Sequence, residues 1–192
     1  MKRLLLILIL TLSLQSWAKA DDIKDFQIEG ITIGESLLDS FTEEELIKQF
    51  KGNIYNYPKS KRIYETWLSS INTEIYDEIQ VSLISGDKNY IVQNINGSIY
   101  FGRNYNACLK KKILIEKDLS KIFDIEKTSE KTNHPADLTG RSPAIASWYT
   151  FLTEDHVGIV CTNFHIDTNL DVSLKVLISS KEYNDFLTSE AY

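Results

Sequence analysis

Cysteine, histidine and proline are scarce in this 192-residue chain: two, three and three residues respectively, with a single methionine. The cysteines, Cys108 and Cys161, form no CxxC pair, which excludes thioredoxin-type redox chemistry. None of the eight glycines falls in GxGxxG or GxxxxGK spacing, so a phosphate-cradling loop is missing. No GxSxG elbow marks a hydrolase serine. Positive charge is short as well, with 21 Lys and Arg against 27 Asp and Glu.

What the chain does have begins at its first residues. Met1-Lys2-Arg3 is positive, residues 4–14 are apolar apart from Thr11 and Ser13, and Ala18-Lys19-Ala20 offers small side chains at both positions a signal protease reads. The apolar run is too short for a bilayer core, which needs about 20 helical residues. The expectation is a signal peptide over 1–20 and a mature protein from Asp21, exported to the periplasm or beyond. No Cys stands near that junction for a lipid anchor. Loss of Lys2, Arg3 and Lys19 leaves 18 basic residues against 27 acidic ones, a net charge near −9. Nucleic acid and anionic membrane surfaces disfavour such a chain, because both recruit Lys and Arg. Lys110-Lys111-Lys112 reads as a solvated helix face. In an oxidising compartment Cys108 and Cys161, both flanked by apolar residues, are expected to pair as a disulfide.

Along the mature chain the pattern alternates between helix and strand. A short helix is expected over 36–40. Thr42 with Glu45 forms a capping box for the next helix, Phe41 and Leu46 stand at staple spacing, and Leu46, Ile47 and Phe50 form its buried stripe before Gly52. Strand-like runs follow at 63–68 and 78–84, the second with Ile79, Val81 and Leu83 on a dry face and Gln80 and Ser82 on a wet one. Residues 89–101 read as one bent strand or as a hairpin folded at Asn96-Gly97. From Asn106 the period returns to helix, with Cys108, Leu109, Lys112, Ile113 and Ile115 on an apolar face, and 118–123 adds another helical turn. Residues 126–143 show no period and read as a long polar loop. Strands at 146–152, 157–164 and 172–178 and a helix capped by Ser179 and Glu182 close the chain.

The fold class is therefore α+β, an antiparallel sheet open on one side with helices on the other. Both halves, 21–105 and 106–192, read helix, helix, loop, strand, strand, strand. Residues 45–50 align with 118–123, 64–68 with 148–152, and 87–92 with 171–176. That correspondence fits a tandem duplication with a period of roughly 80 residues, or the ordinary ordering of α+β proteins. Gly30-Ile31-Thr32-Ile33-Gly34 followed by Ser36-Leu37-Leu38-Asp39 resembles the helix-helix-sheet module of the β-lactamase inhibitory protein and of a small outer-membrane assembly lipoprotein. Together with Asp87-Lys88-Asn89-Tyr90 and Asp137-Leu138-Thr139-Gly140-Arg141-Ser142, the segment 33–39 resembles more closely small exported proteins of unknown function from marine bacteria. The first resemblance implies an inhibitor-like binding role; the second supplies no activity to transfer.

Chemistry-bearing residues gather in the polar loop. His134, Asp137, Arg141 and Ser142 are of the types that serve as base, orienting carboxylate, anion binder and nucleophile, although the same residues suit an ordinary turn. Cys161, His165 and Asp167, with His156 one strand earlier, would need fortunate convergence to bind a metal, and neither metal nor cofactor is expected. Glu43-Glu44-Glu45 belongs to the helix N-terminus rather than to calcium. Tyr90 and Tyr100 are candidates to enrich a binding face. Two functional readings follow: a non-catalytic binding module of the cell envelope using the open sheet face against a protein or small ligand, or a small hydrolase or lyase built on 126–143.

Overall fold

The computed structural model describes Ile23, Ile71, Asp137 and residues 26–69, 73–134 and 139–192; the expected signal segment and the Asp21 start lie outside the described residues. Among the described residues there are three α-helices and eight strands: α1 (Glu43–Phe50), β1 (Ile54–Asn56), β2 (Ile63–Trp67), β3 (Glu78–Ile84), β4 (Val92–Tyr100), α2 (Tyr105–Ile122), β5 (Lys127–Asn133), β6 (Pro143–Thr150), β7 (His156–Thr162), β8 (Ser173–Ser179) and α3 (Lys181–Ser189). A 3-10 turn at Leu37–Asp39 precedes α1. The strands form one antiparallel sheet in the order β1-β2-β3-β4-β8-β7-β6-β5. Each half is a helix followed by a four-strand meander. The meanders meet at β4 and β8, which pair from Asn94↔Ser179 to Tyr100↔Ser173.

Local chemistry explains most element boundaries. The capping box of α1 is formed, with Glu45 N donating to Thr42 Oγ1 at 3.3 Å and Thr42 N to Glu45 Oε2 at 2.8 Å. Leu46 and Phe50 are buried, and Gly52 takes a φ of +81° just past the helix, where a side chain would be strained. Ile47 is 57% exposed, so it is not part of the stripe expected for it. Residues 105–122 are one continuous helix; Cys108, Lys112 and Leu119 face inward, while Ile113, expected on the buried face, is 62% exposed. Residues 92–100 are a single strand, as the unbroken alternative had it.

Residues 126–143 are not one long loop. Lys127–Asn133 is an edge strand paired with β6 from Lys127↔Tyr149 to Asn133↔Pro143. Every residue of it is exposed, so its side chains carry no apolar alternation, and the β6 backbone decides its conformation. The final helix is capped by Ser180 rather than Ser179: Ser180 Oγ accepts from Tyr183 N at 3.1 Å. The alignment of 64–68 with 148–152 also fails in detail. Tyr64 pairs with Leu83 on the dry face, whereas Trp148 pairs with Gly158 on the other. The halves share an order of elements, each with four strands instead of the three expected.

On one face Ile79, Val81, Leu83, Ile95, Val157, Ile159, Leu174, Val176 and Ile178 form the main core. Helices α1 and α2 pack against it. Cys108 of α2 is bonded to Cys161 of β7, with an S–S distance of 2.01 Å and Cα atoms 6.1 Å apart. Closing a loop over a separation of 53 residues stabilises by about 4 kcal/mol on the chain-entropy model. Next to it Lys112, 4% exposed, lies against Glu116 and donates to Ser147 Oγ at 2.6 Å. Glu116 also accepts from Ser147 at 2.6 Å and from Lys127 at 2.9 Å. Burial raises the Glu116 pKa, but the hydrogen bonds from Lys112, Ser147 and Lys127 outweigh it and bring it down to about 2.

Breaking one member of that buried pair should cost far more than removing both. Glu116→Leu strands the Lys112 ammonium and is expected to lose about 3–5 kcal/mol, most of it restored in Lys112→Met/Glu116→Leu. Because the Glu116 pKa is lowered on folding, its contribution is complete above the ordinary carboxylate pKa and disappears as pH falls toward about 2. Urea unfolding at neutral and acidic pH reads both effects; equal losses in the single and double variants would show that the pair is not coupled.

Candidate functional site

The residues of the expected polar site do come together, but with one another. After β5 the chain turns through Asp137 and returns at Ser142, whose hydroxyl donates to Asp137 Oδ2 at 2.5 Å and accepts from His165 N at 3.0 Å. Asp137 Oδ1 accepts from Thr139 N at 2.9 Å and Thr139 Oγ1 at 2.6 Å. Arg141 donates to Thr139 Oγ1 at 3.1 Å and to Asp167 Oδ2 at 2.9 Å. The His134 ring stands 4.8 Å from that of Phe164. Hydrogen bonds from Ser142 and Thr139 hold the Asp137 carboxyl well below the usual carboxylate range. Burial lowers the His134 pKa, and Lys175 lowers it further.

This arrangement closes a hairpin and ties it to the segment after β7. Ser142 is fully buried, with its proton directed at a carboxylate and a lone pair taken by a backbone N–H, so the hydroxyl is committed rather than presented. The imagined metal set is dispersed. Cys161 is in the disulfide on the dry face, His156 points to the opposite face from the far end of β7, and His165 and Asp167 attend Arg141.

The face opposite the main core carries a different chemistry. Near the centre of the sheet it is a polar layer, not a wet one: Gln80, Ser82, Asn94 and Asn96 are all buried. Asn96 Nδ2 donates to Gln80 Oε1 at 3.2 Å and Asn94 Nδ2 to Ser82 Oγ at 3.1 Å. Glu65 anchors one end, accepting from Gln80 at 2.8 Å and from the Tyr183 hydroxyl at 2.7 Å, with Tyr57 bonded to the same carboxylate. Burial, then the proximity of Tyr183 and Glu65 for Tyr57, and of Glu65 for Tyr183, raises both phenol pKa values, so both stay protonated donors.

Helix α3 lies over that end. Ser180 binds the bulge residue Gln93, with Ser180 N donating to its carbonyl at 2.9 Å. Arg62 clamps Glu182 at 2.7 Å and Glu190 at 3.0 Å and stacks over Phe186 at 5.2 Å. Beyond α3 the face opens into a groove of about 370 Å³ lined by Thr128, Glu130, Trp148, Thr150, His156, Asn184, Leu187 and Thr188. That volume is within the small-ligand range of about 300–1,000 Å³.

Trp148 dominates the groove. Its indole occupies the space above Gly158 on the neighbouring strand, where a Cβ would come within 2.3 Å of Cζ3 and 2.7 Å of Cε3. The indole N–H donates to Glu130 Oε1 at 2.7 Å, and the His156 ring centroid is 6.1 Å away. Burial lowers the His156 pKa against the opposing pull of Asp155 and Glu154, which keeps its imidazole neutral near pH 7. No family model, curated protein or solved structure matches the chain. The groove therefore stands on its own geometry. Sequence reading passed over Trp148, although a glycine inside the apolar run Val157-Gly158-Ile159 is a known mark of close approach.

Removing the Ser142 hydroxyl should loosen the β5–β6 hairpin, because Asp137 Oδ2 and His165 N both lose a partner at once. Ser142→Ala is expected to cost about 1–3 kcal/mol in urea unfolding. The cost should persist through the usual carboxylate range and shrink only as pH falls below it, toward the lowered Asp137 pKa, since Asp137 contributes only while ionised. An unchanged midpoint at neutral pH would contradict the role given to this bond.

Proposed function

We propose that the chain is an exported, non-catalytic binding module that receives its ligand on the sheet face opposite α1 and α2. The observation that carries this reading is Trp148, seated over Gly158 beside an open groove and held at its N–H by Glu130. A large aromatic side chain fixed before binding costs little conformational entropy when a partner arrives. Anchors of this kind dominate interface energetics. The disulfide and the buried Lys112–Glu116 pair make the opposite face rigid. Export is supported by the leader pattern and the cystine, and among the described residues no helix is long and apolar enough to cross a membrane.

The hydrolase alternative loses support because His134, Asp137, Arg141 and Ser142 are spent on stacking and on closing the hairpin. A photo-crosslinking residue at Thr150, on the open face, and another at Lys111, on the outer face of α2, separate the readings when each variant is expressed in an exporting bacterial host. Ligand adducts are expected from position 150 and not from 111. Adducts from 111 alone, or from neither position, would overturn the assignment of the binding face.

A further inference from the structure

We propose that the Trp148 groove is a saccharide subsite, in which one pyranose ring stacks on the indole and its hydroxyls bond to the polar rim. This rests on the open-face reading above and names the ligand class for it. Three features converge on an uncharged polyol. The indole N–H is already donated to Glu130 at 2.7 Å. What remains for a ligand is the π surface, whose negative face attracts the weakly positive C–H groups of a sugar ring. An immobilised ring over a glycine provides that surface without rearrangement.

The rim supplies hydroxyl-matching groups. Asn184 Oδ1 accepts from Ser179 Oγ at 2.9 Å, while Asn184 Nδ2, buried at the wall of the groove, has no hydrogen-bond partner. Thr128 and Thr150 line the groove as well, and neutral His156 can donate or accept.

Charge narrows the choice further. Glu130 opposes an anionic ligand. A quaternary ammonium is disfavoured because Trp148 is a single aromatic wall where such ions take cages. Thr128 and Glu130 of the lining belong to the edge strand β5, so the groove borders the rim of the sheet, where an oligosaccharide can continue past the stacked ring.

The test is calorimetric titration of the purified chain with triacetylchitotriose, cellotriose and maltotriose. At least one is expected to bind in the roughly micromolar to millimolar range, more than tenfold more weakly to Trp148→Ala and within a few-fold to Trp148→Phe. Thr150→Arg, which fills the groove from an exposed position and leaves the indole in place, is expected to abolish binding even if Trp148→Ala folds poorly. Trp67→Phe should bind as the parent chain does. No heat or chemical-shift change with any of the three sugars, or undiminished binding by folded Thr150→Arg, would overturn the proposal. If adducts still form at position 150 while no sugar binds, the saccharide assignment falls and the open-face reading stands.

Discussion

The pairing of β4 with β8 is the constraint on which the rest of this molecule depends. Seven consecutive residue pairs, Asn94↔Ser179 through Tyr100↔Ser173, join two four-strand meanders into one eight-stranded sheet. Because direct partners in an antiparallel ladder point to the same face, this register decides chemistry on both sides at once. Ile95 meets Ile178 in the apolar core, and Asn94 meets Ser179 in the polar layer. A slip by one residue would bury the asparagines under α2 and turn the isoleucines toward α3.

From that seam the two faces diverge in purpose. One is sealed: α2 is fixed to β7 by the cystine, and its buried lysine is compensated by Glu116 and Ser147. The other is graded. It runs from the cluster of Tyr57 and Glu65 with Tyr183 of α3, through the amide layer on β3 and β4, to the groove around Trp148. The bulge at Gln93 links the two regimes, since it offers both backbone and side-chain acceptors to the cap of α3 and thereby sets the wall of the groove.

Much of this was legible in the sequence where local chemistry decides the outcome. Thr42 and Glu45 announced a helix start, alternation at 78–84 announced β3, and the two cysteines announced their bond. Legibility failed where tertiary context decides. β5 is exposed on both sides and is a strand because β6 offers a partner, which no property of Lys127–Asn133 reveals. Ile113 continues the apolar period of α2 yet faces solvent, because Lys112 takes an interior place that only a buried partner allows. The loop candidates were correctly gathered in space, but their geometry is that of a closed turn. The Trp148 groove required knowing that residue 148 faces residue 158 across two strands, a matter of register rather than composition.

Native-state hydrogen exchange across the central seam tests the account most directly. With the cystine intact, the amides of Ile95 and Gly97 in β4 and of Val176 and Ile178 in β8 are expected to exchange only through global unfolding, with the same free energy in both meanders, while the outer amides of β5 exchange far faster. Protection that survives in β1–β4 after β5–β8 has opened, or the reverse, would contradict the claim that the β4–β8 pairing makes one cooperative sheet.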